Sequence, residues 1–271
     1  MKTISQLFAY SVLIFIALVM LGPFLWLIST SLKGTEEIFS WPPVFIPKHW
    51  QFENYVTVWN AVPFGRYFVN SIIIALGTVT LTVFTSALAA YPLARLSFPG
   101  RSLIFTAIIS TLIIPQEVIV IPLYTLVLKL GLADTLIGVM LPFSTSAFSI
   151  YLLRQAYLTV PRELEEAAMI DGASTFRIWW SVALPLIKPS VAALVVLTFI
   201  SSWGDFLWPL IVLRSPEHYT LQVGLSMMVQ SLAANYKLVA AGAVVSVIPV
   251  IVVFLFTQKY FVSGILMGSG K

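Results

Sequence analysis

Two carboxylates stand inside apolar stretches of this sequence, where an ionisable side chain is uncommon. Glu117 lies between two prolines, and Asp205 lies in the run SWGDFLWPL. Three aromatic residues flank Asp205, namely Trp203, Phe206 and Trp208. A charge at the bilayer centre costs about 2.5–3.5 kcal/mol, so such groups usually face a cavity or a partner. Aromatic faces beside a hydrogen-bond acceptor suit a sugar or polyol, and these five residues are candidates for a substrate pathway.

A structural alternative exists for both carboxylates. Each can pair with a residue of another subunit, or cap a helix that is broken within the membrane. The aromatic residues can equally serve packing, because large side chains dominate the cores of most proteins. The residue types alone leave both interpretations open.

A compact polar insert, ELEEAAMIDGASTFRIWWSVALPL, interrupts the apolar sequence further along. The segment Arg162–Ile170 suits a short helix, with Pro161 in its first turn and acidic residues where the helix dipole favours anions. Asp171 and Gly172 predict its end, because glycine adopts the left-handed C′ conformation at little cost. Ser174 can cap a second helix. The insert is therefore predicted to form a short helix-turn-helix, which is either a solvated linker or a docking element.

The composition excludes an ordinary soluble domain. Of 271 residues, 59% are hydrophobic and 10% are charged, with a mean hydropathy of +0.97, whereas soluble domains carry roughly 25% charged residues. The net charge of +4 comes from basic residues placed between apolar runs, not from a basic stripe that could bind nucleic acid. The chain has no cysteine, which excludes disulfides and cysteine-ligated metals.

Six segments are apolar and long enough to cross a bilayer, which takes about 20 helical residues. They are Leu7–Leu32, Tyr67–Ala94, Ser102–Leu128, Leu136–Leu153, Ser190–Leu213 and Leu238–Val262. The fourth is interrupted by Pro142 and the run STSAFS, and Glu117 marks an expected helix break in the third. The first run is longer than the apolar part of a signal peptide, so we interpret it as a retained span. The predicted fold class is an all-α integral membrane protein with six transmembrane helices.

Lysines and arginines predict the orientation, since they are enriched in loops on the inner side. With both termini inside, the inner segments hold nine of the 15 basic residues: Lys2, Arg95, Arg101, Arg154, Arg162, Arg177, Lys188, Lys259 and Lys271. The outer segments hold the other six: Lys33, Lys48, Arg66, Lys129, Arg214 and Lys237. This bias predicts that the polar insert faces the cytoplasm.

The insert also resembles the EAA signature of permease subunits of type I ABC importers. The matching residues are Glu166, Ala167, Ala168 and Gly172, followed by the closing Val182-Ala183-Leu184-Pro185. Other stretches resemble the carbohydrate-uptake branch, in particular its maltose-permease-G-like and glycerol-phosphate-permease-E-like subunits: NSIIIALGTV, IIPQEVIVIPLY, WGDFLWPLIVL and TLQVGLSMM. The resemblance covers nearly the whole chain from about Asn70 onward. Gly204 departs from it, standing where the family usually has Asn.

This resemblance implies the type I ABC importer transmembrane-domain fold, with the first helix of the insert as the cytoplasmic coupling helix. The implied coupling residues are Glu166, Ala167, Ala168, Asp171 and Gly172. The implied partners are a second homologous permease subunit, a cytoplasmic ATPase dimer and an external solute-binding protein, all at the lipid bilayer of the bacterial inner membrane. ATP and Mg²⁺ would then bind the ATPase subunits, and this chain would need no metal or cofactor and no nucleic acid.

The resemblance also divides the chain into three regions. Residues 1–66 hold the first transmembrane helix and a long external loop, residues 67–262 hold the importer core with a coupling loop at 154–188, and residues 263–271 form a cytoplasmic tail.

A phosphate-binding loop is missing, since the tail GSGK has Ile265 where the first glycine would stand. The alternative function is an autonomous secondary transporter or channel, and no cluster of catalytic groups favours a membrane enzyme.

Overall fold

The computed structural model describes residues 2–231 and 235–268, and the regular elements within them are all helical. The helices are α1 (Lys2–Ser31), α2 (Thr35–Ile38), α3 (Glu53–Ala61), α4 (Phe64–Arg95), α5 (Arg101–Ser110), α6 (Gln116–Lys129), α7 (Leu136–Met140), α8 (Ala147–Thr159), α9 (Arg162–Ile170), α10 (Thr175–Ile178), α11 (Leu184–Leu186), α12 (Lys188–Gly204), α13 (Leu207–Val212), α14 (Leu221–Ser231) and α15 (Tyr236–Gly268). The predicted all-α class is confirmed. The end of the predicted tail, residues 269–271, lies outside the described residues.

By length and composition, the described residues contain three candidate membrane spans, or six if each bent pair of helices is one span. Three helices are long and apolar enough by themselves, within α1, α4 and α15. Three further candidates are pairs of helices that bend at a short break: Arg101–Ile113 with Gln116–Lys129 at 105°, Leu136–Phe143 with Ala147–Thr159 at 49°, and Thr175–Leu186 with Lys188–Gly204 at 78°. The three unbroken helices overlap the first, second and sixth predicted segments, and the three bent pairs overlap the third, fourth and fifth.

The break expected in the third predicted segment is present, whereas the fifth predicted segment was wrong as a continuous helix. Ile114 is extended, with φ −83° and ψ 116°, because the ring of a following proline disfavours helical backbone at the preceding residue. In the fifth segment α12 ends at Gly204, and Asp205 is extended with φ −67° and ψ 126°. The remainder of that segment forms the separate short helix α13.

The fourth predicted segment is broken between α7 and α8, and side chains of α4 form hydrogen bonds with the backbone groups that this break leaves free. Thr82 Oγ1 donates to the carbonyl of Phe143 at 3.0 Å, and Thr85 Oγ1 donates to the carbonyl of Ser144 at 2.6 Å. On the other side of the break, the Ser146 hydroxyl accepts from the backbone N–H of Ser149 at 3.1 Å and caps α8. A broken span is tolerated in a membrane when neighbours supply such bonds.

The chain forms two compact units. The first comprises Met1–Phe68 and Leu221–Ile248, and the second comprises Val69–Thr220 and Pro249–Lys271. The core of the second unit contains small residues of α4, such as Ala87 and Ala90, packed with large ones such as Leu153 of α8. Small residues let two helix backbones approach closely in a membrane, where packing drives helix association.

The first unit buries Lys33, which the distribution of basic residues places in an outer loop. Lys33 is 1% exposed, and its Nζ donates to the carbonyl of Val44. The same nitrogen lies 4.2 Å from the centroid of the Trp26 ring, within the range of a cation–π interaction. Asn54 Nδ2 donates to the carbonyls of Ser31 and Lys33, at 2.9 and 3.1 Å. This lysine is thus part of the packing.

In the second unit, one carboxylate joins the loop before α7 to the segment after α13. Asp134 accepts from the backbone N–H groups of Arg214 and Ser215, at 2.8 and 3.0 Å, and from the Ser215 hydroxyl. His218 Nδ1 lies 3.2 Å from its Oδ1. Burial by itself would raise the pKa of Asp134, but the hydrogen bonds from Ser215, Arg214 and His218 outweigh it and lower that pKa below its usual range.

We expect Asp134→Ala to lower the thermal stability of the purified protein, because it removes several hydrogen bonds to a charged acceptor. The loss should be about 1–3 kcal/mol. Because the folded pKa is lowered, the contribution is present above the unfolded-state pKa and fades as pH falls through the folded one. Melting in detergent should therefore separate wild type from variant at neutral pH, and less so below about pH 4. Glu217→Ala is the control, since that side chain is exposed; equal melting of all three proteins would contradict this role.

Candidate functional site

The polar insert forms the helix-turn-helix that its sequence predicts. Helix α9 spans Arg162–Ile170, with Glu163 and Glu165 in its first turn. Pro161 is the N-cap residue of this helix, one position before the first turn where it was expected. Glu166 and Ala167 are exposed and Ala168 is half-buried, so most of the predicted motif lies on the outer face of the helix.

The turn of this element is a glycine-dependent helix end. Gly172 has φ +81°, in the left-handed region. Its N–H donates to the carbonyl of Met169 at 3.0 Å, and the N–H of Ala173 donates to that of Ala168 at 3.0 Å. These two bonds define a Schellman motif, in which a left-handed C′ residue satisfies the last free carbonyls of a helix. The prediction for Gly172 is confirmed.

The second arm begins at a side-chain cap and continues into the membrane domain. The Ser174 hydroxyl accepts from the backbone N–H of Arg177 at 3.3 Å, which confirms the predicted cap of α10. A π-helical turn, Trp179–Ala183, follows. The Trp179 side chain is 2% exposed, and its Nε1 donates to the Tyr157 hydroxyl of α8 at 2.9 Å. The second arm is thus anchored in the protein core.

The outer surface of the helix-turn-helix combines apolar and acidic side chains. Ile170 is 87% exposed, and other large apolar residues around it are also exposed: Leu164, Met169 and Phe176. The exposed acidic residues are Glu163, Glu166 and Asp171. A shallow cleft of about 210 Å³ lies between the two arms, lined by Ala168, Asp171, Ala173, Arg177, Ser181 and Val182. An exposed apolar patch with a polar rim marks an interaction surface in many proteins.

The inner face of α9 holds a charged pair that the sequence analysis missed. Glu165 is 5% exposed, and its Oε1 lies 2.8 Å from Nε of Arg95 at the end of α4. The Tyr91 hydroxyl donates to Glu165 Oε2 at 3.2 Å, and Arg95 also donates to the carbonyl of Val160. The adjacent acids Glu165 and Glu166 therefore point to different sides of α9, the first into the protein and the second to solvent. Composition does not predict which of the two is buried.

Glu117 lies at the start of α6, directly after the break in the third span. Pro115 is the N-cap residue of α6, and Glu117 is an exposed acidic residue of its first turn. The predicted break at this site is confirmed. An acid in the first turn also interacts favourably with the helix dipole, which agrees with the structural alternative for this residue.

The four candidates around Asp205 do not share one environment. Asp205 is half-buried between α12 and α13, and its Oδ1 lies 3.4 Å from the backbone nitrogen of Trp208, a weak cap of α13. Trp203 and Trp208 are 3% and 2% exposed. Their rings contact Phe199 and Phe143, with centroids 5.7 and 5.8 Å apart.

Phe206 is the exposed aromatic residue of this group, at 37%. Trp208 Nε1 is buried and has no hydrogen-bond partner among the described residues. In the described part of the chain, no group of three or more His, Cys, Asp or Glu side chains converges.

A family model described as a binding-protein-dependent transport system inner membrane component matches residues 82–266. The chain belongs to this family. It is therefore a multi-pass inner membrane permease of an ABC transport system, non-catalytic and without a cofactor of its own, and ATP is hydrolysed by a partner subunit. The alternative of an autonomous secondary transporter or channel is not supported.

Individual relatives agree with this membership. The arabinooligosaccharides transport system permease protein AraQ of Bacillus subtilis (strain 168) is 40% identical over 226 residues, covering 83% of this chain and 80% of that protein. The sn-glycerol-3-phosphate transport system permease protein UgpE of Yersinia pestis bv. Antiqua (strain Antiqua) is 34% identical over 270 residues, covering 96% of each. A crystal structure of a bacterial ABC transporter involved in the import of the acidic polysaccharide alginate contains a chain that matches with a TM-score of 0.86 and 29% identity, over 96% of this chain and 97% of that one. The predicted importer fold is confirmed.

Gly172→Ala should weaken the helix-turn-helix through backbone conformation alone. A Cβ at Gly172 would meet no atom within 4 Å, so the cost comes from the positive φ and is roughly 1 kcal/mol. Hydrogen exchange should therefore become faster at the last amides of α9. Gly204→Ala is the matched control, because its surroundings are equally open and its backbone is helical. Unchanged exchange in Gly172→Ala would contradict this explanation of the turn.

Proposed function

We propose that this chain forms, with a homologous permease subunit, the translocation pathway for a sugar or a related polyol or glycerol-phosphate solute. The names of its relatives AraQ and UgpE support this substrate class, since they transport arabinooligosaccharides and sn-glycerol 3-phosphate. The expected remaining partners are a cytoplasmic ATPase dimer and an external solute-binding protein. The observation that carries the proposal is the exposed helix-turn-helix with its EAA residues.

In this proposal α9 is the coupling helix, and it docks into a cleft on an ATPase subunit. Ile170 supplies an apolar anchor, because it is 87% exposed at the end of α9. Glu166 and Asp171 offer charges to basic residues of the ATPase. Ala167 and Ala168 allow close approach of the partner's backbone, and Gly172 fixes the turn. When ATP closes the ATPase dimer, the docked helices move together, and the permease pair changes from an inward-facing to an outward-facing state.

The orientation follows from the same proposal. The ATPase is cytoplasmic, so the coupling loop 154–188 and both termini lie inside, in agreement with the lysine and arginine bias of the loops. The region 1–66 then supplies a first helix and an external loop, the region 67–262 the core, and 263–271 a cytoplasmic tail. The binding protein delivers solute from the side of the external loop.

The proposed solute pathway includes Glu117, Asp205 and the aromatic residues Trp203, Phe206 and Trp208. Phe206 offers an exposed ring, and the buried Trp208 indole N–H is a donor without a partner among the described residues. Solute hydroxyls need such donors and acceptors, arranged beside apolar faces. Trp203 is the weakest member, since its ring is stacked against Phe199.

Glu166→Gln and Ile170→Ser are expected to reduce retention of the ATPase by the purified permease complex. Hot-spot side chains in interfaces commonly cost 2 kcal/mol or more on truncation, so we expect binding to fall by about tenfold or more for Ile170→Ser. Glu163→Gln is the control, because this acid is exposed on α9 outside the matched motif. Co-purification measured against salt concentration checks the result, and full retention of the ATPase by both variants would remove α9 from the interface.

Asp205→Asn separates a pathway role from a capping role. The amide keeps an oxygen that can accept from the Trp208 N–H and loses only the charge, whereas Asp205→Ala loses both. If Asp205 contacts solute, uptake by Asp205→Asn should show a KM raised by about tenfold with normal assembly. Labelled arabinooligosaccharides and sn-glycerol 3-phosphate are the first probes. Normal uptake by Asp205→Asn, with a defect only in Asp205→Ala, would assign the residue to the helix cap.

A further inference from the structure

A buried network connects the helix-turn-helix to the rest of the second unit. Glu165 of α9 and Arg95 of α4 face each other with 5–6% of each side chain exposed, and their charged atoms are 2.8 Å apart. Arg95 also donates to the carbonyl of Val160, directly after α8. One guanidinium therefore joins the end of α4 to both α8 and α9.

The network continues beyond the ion pair. The Tyr91 hydroxyl, one turn before Arg95 on α4, donates to the second oxygen of Glu165 at 3.2 Å. The Tyr91 ring packs edge-on against Tyr157 of α8, with centroids 5.4 Å apart. Tyr157 accepts from Trp179 Nε1, in the second arm of the helix-turn-helix. Both arms are thus attached to the same pair of helices through buried side chains.

Burying the Arg95–Glu165 pair costs free energy, because both charges lose their hydration. Two charges removed from water are stable only when their geometry and remaining hydrogen bonds are good, and removing one partner leaves an uncompensated buried charge. An exposed linker would need no such pair, since exposed ion pairs contribute little. The residues of α9 that face outward, such as Glu166 and Ile170, take no part in this ion pair.

We propose that Glu165, Arg95 and Tyr91 are positioning residues that form a rigid joint between the coupling helix and α4. Through this joint a displacement of α9 moves the end of a transmembrane helix, instead of being lost in a flexible loop. The inference rests on the proposed coupling function of α9 but concerns a different face of the helix. It assigns adjacent acids to different tasks, with Glu166 directed to the partner and Glu165 to the membrane domain.

The absence of cysteine from the chain allows a direct test by paired spin labels. Ser97→Cys and Arg162→Cys place labels at exposed positions beyond the end of α4 and at the start of α9. In the complete transporter the label-to-label distance should be narrow and should stay the same when the ATPase is trapped with ATP, Mg²⁺ and vanadate. A distance that shifts on trapping would overturn the joint, because α9 would then move independently of α4.

Glu165→Gln, in the same labelled protein, should broaden the distance distribution about twofold, because Arg95 loses its charged partner. Glu163→Gln, which removes a charge from the exposed side of the same turn, should leave it narrow. If Glu165→Gln fails to assemble, Arg95→Gln with Glu165→Gln replaces it, since this double variant leaves no unpaired buried charge. We expect it to assemble and to give the broad distribution.

A narrow, wild-type distribution in the assembled variants would overturn the proposal. Failure of the double variant to assemble would also overturn it, because the pair would then serve folding alone. Failure of the proposed coupling function has a different signature. In that case the ATPase would not co-purify with the wild-type chain, whatever the labels report.

Discussion

Most of this architecture depends on the requirement that backbone polar groups in lipid find their hydrogen-bond partners inside the protein. Continuous helices such as α4 meet it by themselves. Three of the six candidate spans are broken, and at one of these breaks the partners come from another helix. Thr82 and Thr85 of α4 donate to carbonyls at the break between α7 and α8. At this break the neighbouring helix α4 thus supplies hydrogen bonds that the interrupted span does not make by itself.

The interior of the protein, which like lipid has a low dielectric constant, also restricts where charged side chains can lie. Arg95 and Glu165 are acceptable inside the protein because each satisfies the other, and Tyr91 and Val160 occupy further hydrogen-bonding positions around them. The other acids of α9 are exposed to solvent. A single short helix therefore presents one charge to the protein core and several to the exterior. This division suits the coupling role that is proposed for α9.

Family membership and geometry address different parts of the function. The likeness to permeases at 34–40% identity establishes an ABC transport component, and the TM-score of 0.86 extends the likeness over nearly the whole fold. Neither identifies the solute, because folds carry many specificities and the solute is recognised by individual side chains. The side chains of the proposed pathway around Asp205 are divided between packing and exposure: Phe206 is exposed, and the buried Trp208 indole N–H has no partner among the described residues.

The sequence by itself determined the features that depend on a few neighbouring residues. These include the apolar segments, the break before Glu117, the left-handed end of α9 at Gly172 and the cap at Ser174, because each follows from local backbone preferences and hydrogen bonds. Tertiary structure alone decided which of two adjacent acids is buried, that Lys33 packs in a core, and that Asp134 joins two distant loops. Those outcomes depend on residues far apart in the chain that come into contact only when the helices pack. Neither residue type nor spacing predicts these tertiary contacts.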